Sequence, residues 1–431
     1  VTIAELYIVF QQHPSVQTDT RKLKKGDLFF ALKGPSFNGN QFALQALAAG
    51  AAYAIIDEPV ADADGAGNDR LILVEDVLTT LQLLAKHHRE QFSIPFIAIT
   101  GSNGKTTTKE LVHAVLNEHY TTYTTQGNLN NHIGIPLTLL SVRPDARFAV
   151  IEMGANHQKE IEGYCVYVQP THGIITNAGK AHLEGFGGEE GVRKGKGELF
   201  DYLRTSGGTV FAFDDYDYLH EMTTGIKHIS WYGTQKGTIT GHVKESEPFL
   251  QIAFTGGVEF TTLTTQLVGS YNLPNVLCAV AVGKYFFVPE FKITAALSHY
   301  CPSNSRSQLV TAGSNKIILD AYNANPSSMK AAIENFAKVD AAQKVLLLGG
   351  MMELGAESIA EHQQLVTLIG QYPWHSVVLV GGDFANVQHP YHYCATATAA
   401  GEWVKAQQFS NTYFLIKGSR SMQMEKTAGY L

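Results

Sequence analysis

Short apolar runs in this chain stop, again and again, at a polar residue. Phe96-Ile-Ala-Ile99 stops at Thr100, Phe148–Ile151 at Glu152, and Gly173–Thr176 at Asn177. Further on, Lys316-Ile-Ile-Leu319 stops at Asp320 and Thr412-Tyr-Phe-Leu-Ile416 at Lys417. Runs of this length, separated by stretches of helical periodicity, read as strands of open parallel sheets. Ligands of such sheets gather beyond the carboxyl ends of the strands, where these polar residues fall. The pattern predicts an α/β fold with two ligand-bearing rims, one per domain, facing a common cleft.

One of these strand ends carries far more information than the rest. Thr100-Gly-Ser-Asn-Gly-Lys-Thr-Thr-Thr108 follows directly on Pro95-Phe-Ile-Ala-Ile99. Gly101 and Gly104 let the backbone curl so that successive N–H groups point inward, Lys105 supplies a cation, and Thr106 a hydroxyl for Mg²⁺. Leu111, Val112, Val115 and Leu116 then form one helical stripe, as a helix docked on a sheet requires. The turn is shorter than the usual G-x-x-x-x-G-K-[ST], because Ile99 stands where that pattern has its first glycine. A strand-to-helix turn that binds nothing is the alternative, but strand and helix flank the loop as a nucleotide site demands.

A chain of 431 residues is too long for one core and divides into two to four domains. Its hydrophobic content of 45% and charged content of 16% are those of a globular protein. The net charge of -7 argues against nucleic acid as the main partner. No apolar stretch reaches membrane-spanning length, and Val1-Thr-Ile-Ala-Glu5 has no signal pattern. Cys165, Cys278, Cys301 and Cys394 are scattered without C-x-x-C spacing, which predicts buried apolar residues rather than disulfides or a zinc site. A reducing cytoplasm is the expected setting.

Residues 1–90 read as a small α/β domain, with Asp27-Leu-Phe-Phe-Ala-Leu-Lys33, an alanine-rich helix near 41–49, and Ala52-Tyr-Ala-Ile-Ile56. The polar stretch Lys86-His-His-Arg-Glu-Gln-Phe-Ser93 suggests a boundary. A central domain over 91–300 carries the P-loop sheet and a glycine- and threonine-rich part at 207–268 that reads as β-hairpins. From about Cys301, residues 301–431 repeat the βα alternation, adding Lys344-Val-Leu-Leu-Leu-Gly349 and Ser376-Val-Val-Leu-Val-Gly381. No internal repeat or low-complexity tract interrupts the chain.

A phosphate loop needs a metal and groups to hold it. Glu152 offers a hard oxygen at a strand end, with a solvated carboxylate as the bland alternative. His182 lies in a glycine-bearing loop close to any ligand, and imidazole ligates metals, although a surface histidine is the plainer reading. Lys196, in Arg193-Lys-Gly-Lys-Gly-Glu-Leu-Phe200, reads alone as a solvated lysine near a helix start. Tyr271 and Asn272 would stack on and hydrogen-bond a purine, or would cap the apolar helix that follows. Arg306 offers a guanidinium matched to phosphate, swung in from another domain; the alternative is one more surface cation.

Taken together these strings resemble the Mur ligases, nearly end to end. The resemblance rests on Asp19-Thr-Arg21, Gly26-Asp-Leu-Phe-Phe-Ala-Leu-Lys-Gly34, the P-loop, Gly127-Asn-Leu-Asn-Asn-His-Ile-Gly-Ile-Pro136 and Glu152-Met-Gly-Ala-Asn156. It continues through Asn177-Ala-Gly-Lys-Ala-His-Leu-Glu-Gly-Phe-Gly187 and Lys196-Gly-Glu198. Asp320-Ala-Tyr-Asn-Ala-Asn-Pro326, Met352-Glu-Leu-Gly355 and Lys417-Gly-Ser-Arg420 point to the branch that adds D-alanyl-D-alanine.

The resemblance implies three domains: a small N-terminal α/β domain, a central P-loop ATPase-like, mostly parallel sheet with a β-hairpin part, and a C-terminal Rossmann-like parallel sheet. It implies that Gly101, Ser102, Asn103, Gly104, Lys105, Thr106 and Thr107 hold the ATP phosphates. Thr106, Glu152, His182 and a carbamylated Lys196 would surround Mg²⁺. Asn272, Arg306 and Asp320 would meet adenine, γ-phosphate and ribose. Thr18, Asp19, Thr20, Arg21, Asn130 and Asn131 would hold the nucleotide sugar, and Tyr322, Asn323 and Asn325 the dipeptide. Lys105, Glu152, His182, Lys196 and Arg306 would be the catalytic set of a monomeric, cytoplasmic, ATP-dependent amide ligase that works through an acyl phosphate.

Four residues depart from the family pattern: Gly350 and Leu319 replace common aspartates, Thr20 a serine, and Asn38 an aspartate. Rival readings are a sister ligase adding another residue, such as a folate polyglutamylating or diamino-acid-adding enzyme, and a nucleotide-binding regulator without catalysis. A dehydrogenase is disfavoured, because no strand of the last section runs into G-x-G-x-x-G.

Overall fold

The computed structural model describes residues 1–60, 68–303 and 305–431. The chain forms two compact units. The first holds Val1–Ala98, Tyr120–Gly154 and Glu160–His172; the second holds Ile99–His119, Ala155–Lys159 and Gly173–Leu431. Mostly parallel α/β sheets of four, nine and six strands carry it, as the sequence predicts.

In the first unit the four-stranded sheet pairs Val16–Gln17, Leu28–Phe30, Tyr53–Ile56 and Leu71–Leu73 in that order, all parallel. Helix Ala43–Ala48 packs on it through small residues, with Phe29, Ala43, Ala46, Leu47 and Ala54 in one core. The polar stretch at 86–93 opens as the end of helix Val77–Arg89, and His88 and Arg89 are buried. Burial is tolerated because the Arg89 guanidinium donates to the carbonyls of Val168, Gln169 and Phe92. Strand Phe148–Glu152 pairs parallel with Thr122–Thr124 and ends, as expected, on Glu152.

In the second unit helix Lys105–Asn117 follows the phosphate turn directly. The 207–268 part is less hairpin-like than its composition suggests. Thr209–Phe213, His228–Gly233 and Ile239–Glu245 run parallel, with helix Asp217–Met222 between the first two. The antiparallel pairings are confined to Ile239–Glu245, Gln251–Gly256 and Thr262–Thr264. Threonine and glycine favour turns at strand ends, but the buried centres of Thr209–Phe213 and its neighbour belong to a sheet covered on both faces.

The last sheet has the order Gln308–Ala312, Asn315–Asp320, Tyr413–Lys417, Lys344–Gly349, Ser376–Val380, His392–Cys394. Every pair is parallel except the first. Insertion of the last strand between the second and third makes a topological switch point, and Asp320 sits in register with Lys417 there. Cys165, Cys278 and Cys394 are buried free thiols as predicted; Cys301 differs, being exposed, with its thiol donating to Gln266.

Candidate active site

The phosphate turn is held open by its glycines. Gly101 has φ 144° and Gly104 φ 77°. A Cβ on Gly101 would stand 2.1 Å from Thr176 Oγ1, and one on Gly104 2.8 Å from Asn275 Oδ1. The turn is stitched to the strand end beside it. Ser102 N–H donates to the Asn177 carbonyl at 2.9 Å and its hydroxyl to the Gly179 carbonyl at 2.8 Å. Asn103 N–H donates to Asn177 Oδ1 at 2.9 Å, while its carbonyl accepts from Thr176 Oγ1 at 2.6 Å and Asn177 Nδ2 at 3.0 Å. Lys105 reaches back over the turn, donating to the carbonyls of Gly101 at 2.7 Å and Ser102 at 3.1 Å. Thr106 is buried at the first turn of the helix and Thr107 half-buried beside it.

The histidine loop grows from the same strand end. Its Ala178 N–H donates to the Tyr218 hydroxyl at 3.2 Å, and burial pushes that phenol up to about 12. His182 takes a left-handed φ of 52° and its Nδ1 bonds the Glu353 carboxylate. That hydrogen bond holds the Glu353 carboxyl below its usual range. Backbone Lys180 N–H donates to Ser327 Oγ at 3.1 Å, and the Lys180 ammonium pairs with buried Glu361 at 2.6 Å. Asn325 Nδ2 donates to Asn103 Oδ1 at 2.7 Å. Within the second unit, then, residues 325–361 grip both the phosphate turn and the histidine loop.

Lys196 corrects its reading as a solvated helix-start lysine. It lies within helix Glu189–Ser206, fully buried on the face formed by Val192, Gly195, Leu199 and Leu203. Its ammonium donates to the Ala155 carbonyl at 2.9 Å and stands 4.8 Å from the centre of the Phe186 ring. Gly195 makes room for that ring, since a Cβ there would stand 2.4 Å from it.

Three stretches match models of known domains: residues 14–89 the Mur ligase family catalytic domain, 99–283 the Mur ligase middle domain, and 305–420 the Mur ligase glutamate ligase domain. A UDP-N-acetylmuramoyl-tripeptide–D-alanyl-D-alanine ligase of Bacillus subtilis is 36% identical over 423 residues, covering 95% of this chain and 91% of the relative. The chain belongs to the Mur ligase family. The enzyme of the same name from Escherichia coli is 35% identical, with 96% and 92% coverage. A crystal structure of MurF from Acinetobacter baumannii superposes with a TM-score of 0.87 at 30% identity, covering 96% of this chain and 92% of that one. MurF from Thermotoga maritima in complex with ADP has the same fold, at a TM-score of 0.86, 23% identity and 96% coverage of each chain.

In this Mur ligase the remaining expected residues fall as follows. In the first unit Glu152 is buried; its Oε1 accepts from Asn130 Nδ2 at 2.8 Å and its N–H donates to Thr125 Oγ1 at 3.0 Å. Asn131 Oδ1 accepts from Gly134 N–H at 2.8 Å and so fixes the start of the next helix. Asp19 receives three hydrogen bonds from Arg21, which hold its carboxyl down at about 2. Thr18 and Thr20 are half-buried on either side. Asn38 explains its own departure from aspartate: its Nδ2 donates to Glu58 at 2.8 Å, where a carboxylate would repel.

In the second unit Asp320 accepts from Lys417 at 2.6 Å and from Ser307 N–H at 3.1 Å. Arg306 lies over the ring of half-buried Tyr322, and Asn323 is exposed. Asn272 does not cap its helix; its amide donates to the Val268 carbonyl and accepts from Asn275, both at 2.9 Å. Asn325 is also engaged at both ends of its amide, since its Oδ1 caps helix Pro326–Ala337 through Ser328 N–H. Gly350 replaces an aspartate because a Cβ there would stand 2.8 Å from Gly382 Cα.

Among the described residues no group of three or more His, Cys, Asp and Glu side chains gathers as a metal site. Of the donors that are present, the hydroxyl and the carboxylates are the oxygen ligands Mg²⁺ prefers, and the imidazole is a nitrogen donor it takes less readily. Sequence reasoning missed Asn275, Ser327, Glu353 and Glu361. Of these, Glu353 had a signal in the Met-Glu-Leu-Gly string, whereas the others act through contacts far apart in the chain.

Proposed function

We propose that this chain is the ATP-dependent ligase that joins D-alanyl-D-alanine to UDP-N-acetylmuramoyl-tripeptide, a step in peptidoglycan precursor assembly. The observation that carries the reading is the glycine-opened phosphate turn, bound through Asn103 and the histidine loop to the section bearing Arg306 and Asp320. Full-length relatives of that activity support it.

In the reaction the tripeptide carboxylate attacks the γ-phosphate of ATP, breaking its bond to the β-phosphate so that ADP leaves and an acyl phosphate remains. The turn Gly101 to Thr107 is assigned to the ATP phosphates, and Lys105 and Arg306 stabilise the charge spread over the transferred group. The acyl phosphate makes a leaving group far better than oxide. The dipeptide amine then adds to the acyl carbon, and the tetrahedral intermediate expels phosphate. Asn272 and Asp320 are assigned to adenine and ribose, and Tyr322, Asn323 and Asn325 to the dipeptide side. Asp19, Arg21, their threonine neighbours and the Asn130–Asn131 pair are assigned to the nucleotide sugar.

Mg²⁺, when bound, would neutralise phosphate charge and polarise the transferred group. From this chain the hydroxyl of Thr106, the imidazole of His182 and a carbamate on Lys196 would take it, and Glu152 is a carboxylate of the type it prefers. We further assign residues 1–90, 91–300 and 301–431 to the nucleotide sugar, ATP and dipeptide respectively. The enzyme is proposed to act as a monomer in the cytoplasm, without nucleic acid. No helix among the described residues is long and apolar enough to cross a membrane.

Phosphate release from ATP is the test, measured with UDP-N-acetylmuramoyl-tripeptide in the presence and absence of D-alanyl-D-alanine. Release that requires both, with one amide formed per phosphate, is expected. Release indifferent to the dipeptide, or greater with glutamate or a diamino acid, overturns the reading.

A further inference from the structure

Arg306 stands between two residues in the left-handed region, Ser305 at φ 56° and Ser307 at φ 47°. Neither is glycine, so the surroundings must hold the bend. Ser307 is pinned twice: its N–H donates to Asp320 Oδ1 at 3.1 Å, and its hydroxyl lies 2.9 Å from that of Tyr271. Asp320 is fixed in turn by the buried Lys417 ammonium at 2.6 Å. The backbone that launches Arg306 is therefore set by the strand end that carries Asp320.

The head of the side chain is set by the same turn, two residues on. The Arg306 guanidinium carbon lies 3.6 Å from the centre of the Tyr322 ring. Lys417 holds this turn from beneath, donating also to the Asn323 carbonyl at 3.3 Å. A guanidinium donates in its own plane, so stacking one face on a ring fixes its tilt and leaves the N–H edge available to an anion.

We infer that Tyr322 is a positioning residue for phosphoryl transfer: its ring face aims the Arg306 guanidinium at the transferred group. The inference rests on the reading of Arg306 as the phosphate clamp and adds to it a platform. It gives Tyr322 a role beyond the dipeptide side to which the family pattern assigns it. One short turn, Asp320 to Asn323, thus fixes both the root and the head of the clamp.

The experiment compares the wild type with Tyr322→Leu, Tyr322→Phe, Arg306→Ala and the Arg306→Ala/Tyr322→Leu double variant. Affinities for ADP and for β,γ-imido ATP are read by calorimetry, alongside kcat and KM for ATP and for D-alanyl-D-alanine. Tyr322→Leu, which keeps bulk but loses the ring face, should weaken the imido analogue and lower kcat by about tenfold, leaving ADP affinity nearly unchanged. Tyr322→Phe, which keeps the face, should lose no more than about threefold. In the Arg306→Ala background Tyr322→Leu should add less than about twofold, because the residue it acts through is gone. Multiplying losses in the double variant, or a Tyr322→Leu effect confined to the dipeptide KM, would overturn the inference. If Arg306→Ala itself leaves imido-ATP affinity and kcat untouched, the clamp reading falls as well, which separates the two failures.

Discussion

A single methyl group at Gly101 strikes the phosphate turn where the structure leaves no room. The added Cβ would stand 2.1 Å from Thr176 Oγ1, 3.0 Å from the Asn177 carbonyl oxygen and 3.1 Å from the Asn177 nitrogen. The hydroxyl cannot swing away cheaply, because it donates to the Asn103 carbonyl at 2.6 Å. Overpacking of this kind costs about 1–3 kcal/mol. An alanine held at φ 144° costs roughly 1–3 kcal/mol more. The chain therefore loses about 2–6 kcal/mol of stability, or relieves part of it by moving the turn. Either outcome displaces the turn proposed to hold the phosphates, so calorimetric ADP affinity for Gly101→Ala should fall at least about tenfold. Thr176→Ala supplies the internal control. It removes the nearest atom and alone costs about 1 kcal/mol for its hydrogen bond. The double variant should then be more stable in urea than Gly101→Ala, since contacts of 3.0 and 3.1 Å relax with small shifts. Wild-type ADP affinity in Gly101→Ala, or losses that simply add in the double variant, would refute the argument.

Replacing Lys196 by alanine should reduce ligase kcat by roughly a hundredfold or more while circular dichroism stays native; retained turnover removes it from the mechanism. Labelled bicarbonate should give a carbamate carbon signal in the wild type that this variant lacks. His172 sets a pH window. Burial holds its imidazole down at about 4, against about 6.5 in the unfolded chain. Between these values the unfolded chain takes up a proton that the folded chain excludes, so stability is intact above about pH 6.5 and falls as pH drops toward 4. Discounted for partial exposure, the loss is about 1–2 kcal/mol. Urea titrations at both ends of the window should show a smaller loss for His172→Asn, and equal losses would exclude the residue. Asn325→Ala removes a helix cap and should cost about 1–2 kcal/mol in the same assay, with Asn325→Asp recovering most of it; an unaltered midpoint would exclude a capping role.

The parts of this molecule legible in its sequence are those governed by the local backbone. The turn at Gly101 and Gly104 needs no distant residue to be recognised. Lys196, singled out by the family resemblance, is not legible as a buried residue from its own neighbours, for the opposite reason. A lysine between glycines looks solvated until Phe186 folds over Gly195 and turns that helix face inward. The hairpin reading of 207–268 holds for Ile239–Glu245, Gln251–Gly256 and Thr262–Thr264 and misses the parallel strands before them, because burial of Thr209–Phe213 on both faces removes the alternation that would mark it.

Strings that serve as family labels acquire a physical meaning when paired. The histidine loop and the Met-Glu-Leu-Gly string lie far apart in sequence, yet His182 Nδ1 bonds Glu353 and Glu184 N–H donates to the Glu353 carbonyl at 3.3 Å. Gly355, at φ 54°, closes this second string where a Cβ would press to 3.2 Å on the Glu184 side chain. His182 and Glu353 themselves both take left-handed backbone, a conformation kept by the contact each makes with the other's loop. The two motifs are thus opposite sides of one interface, and a change in either should be compensated most readily by a change in the other.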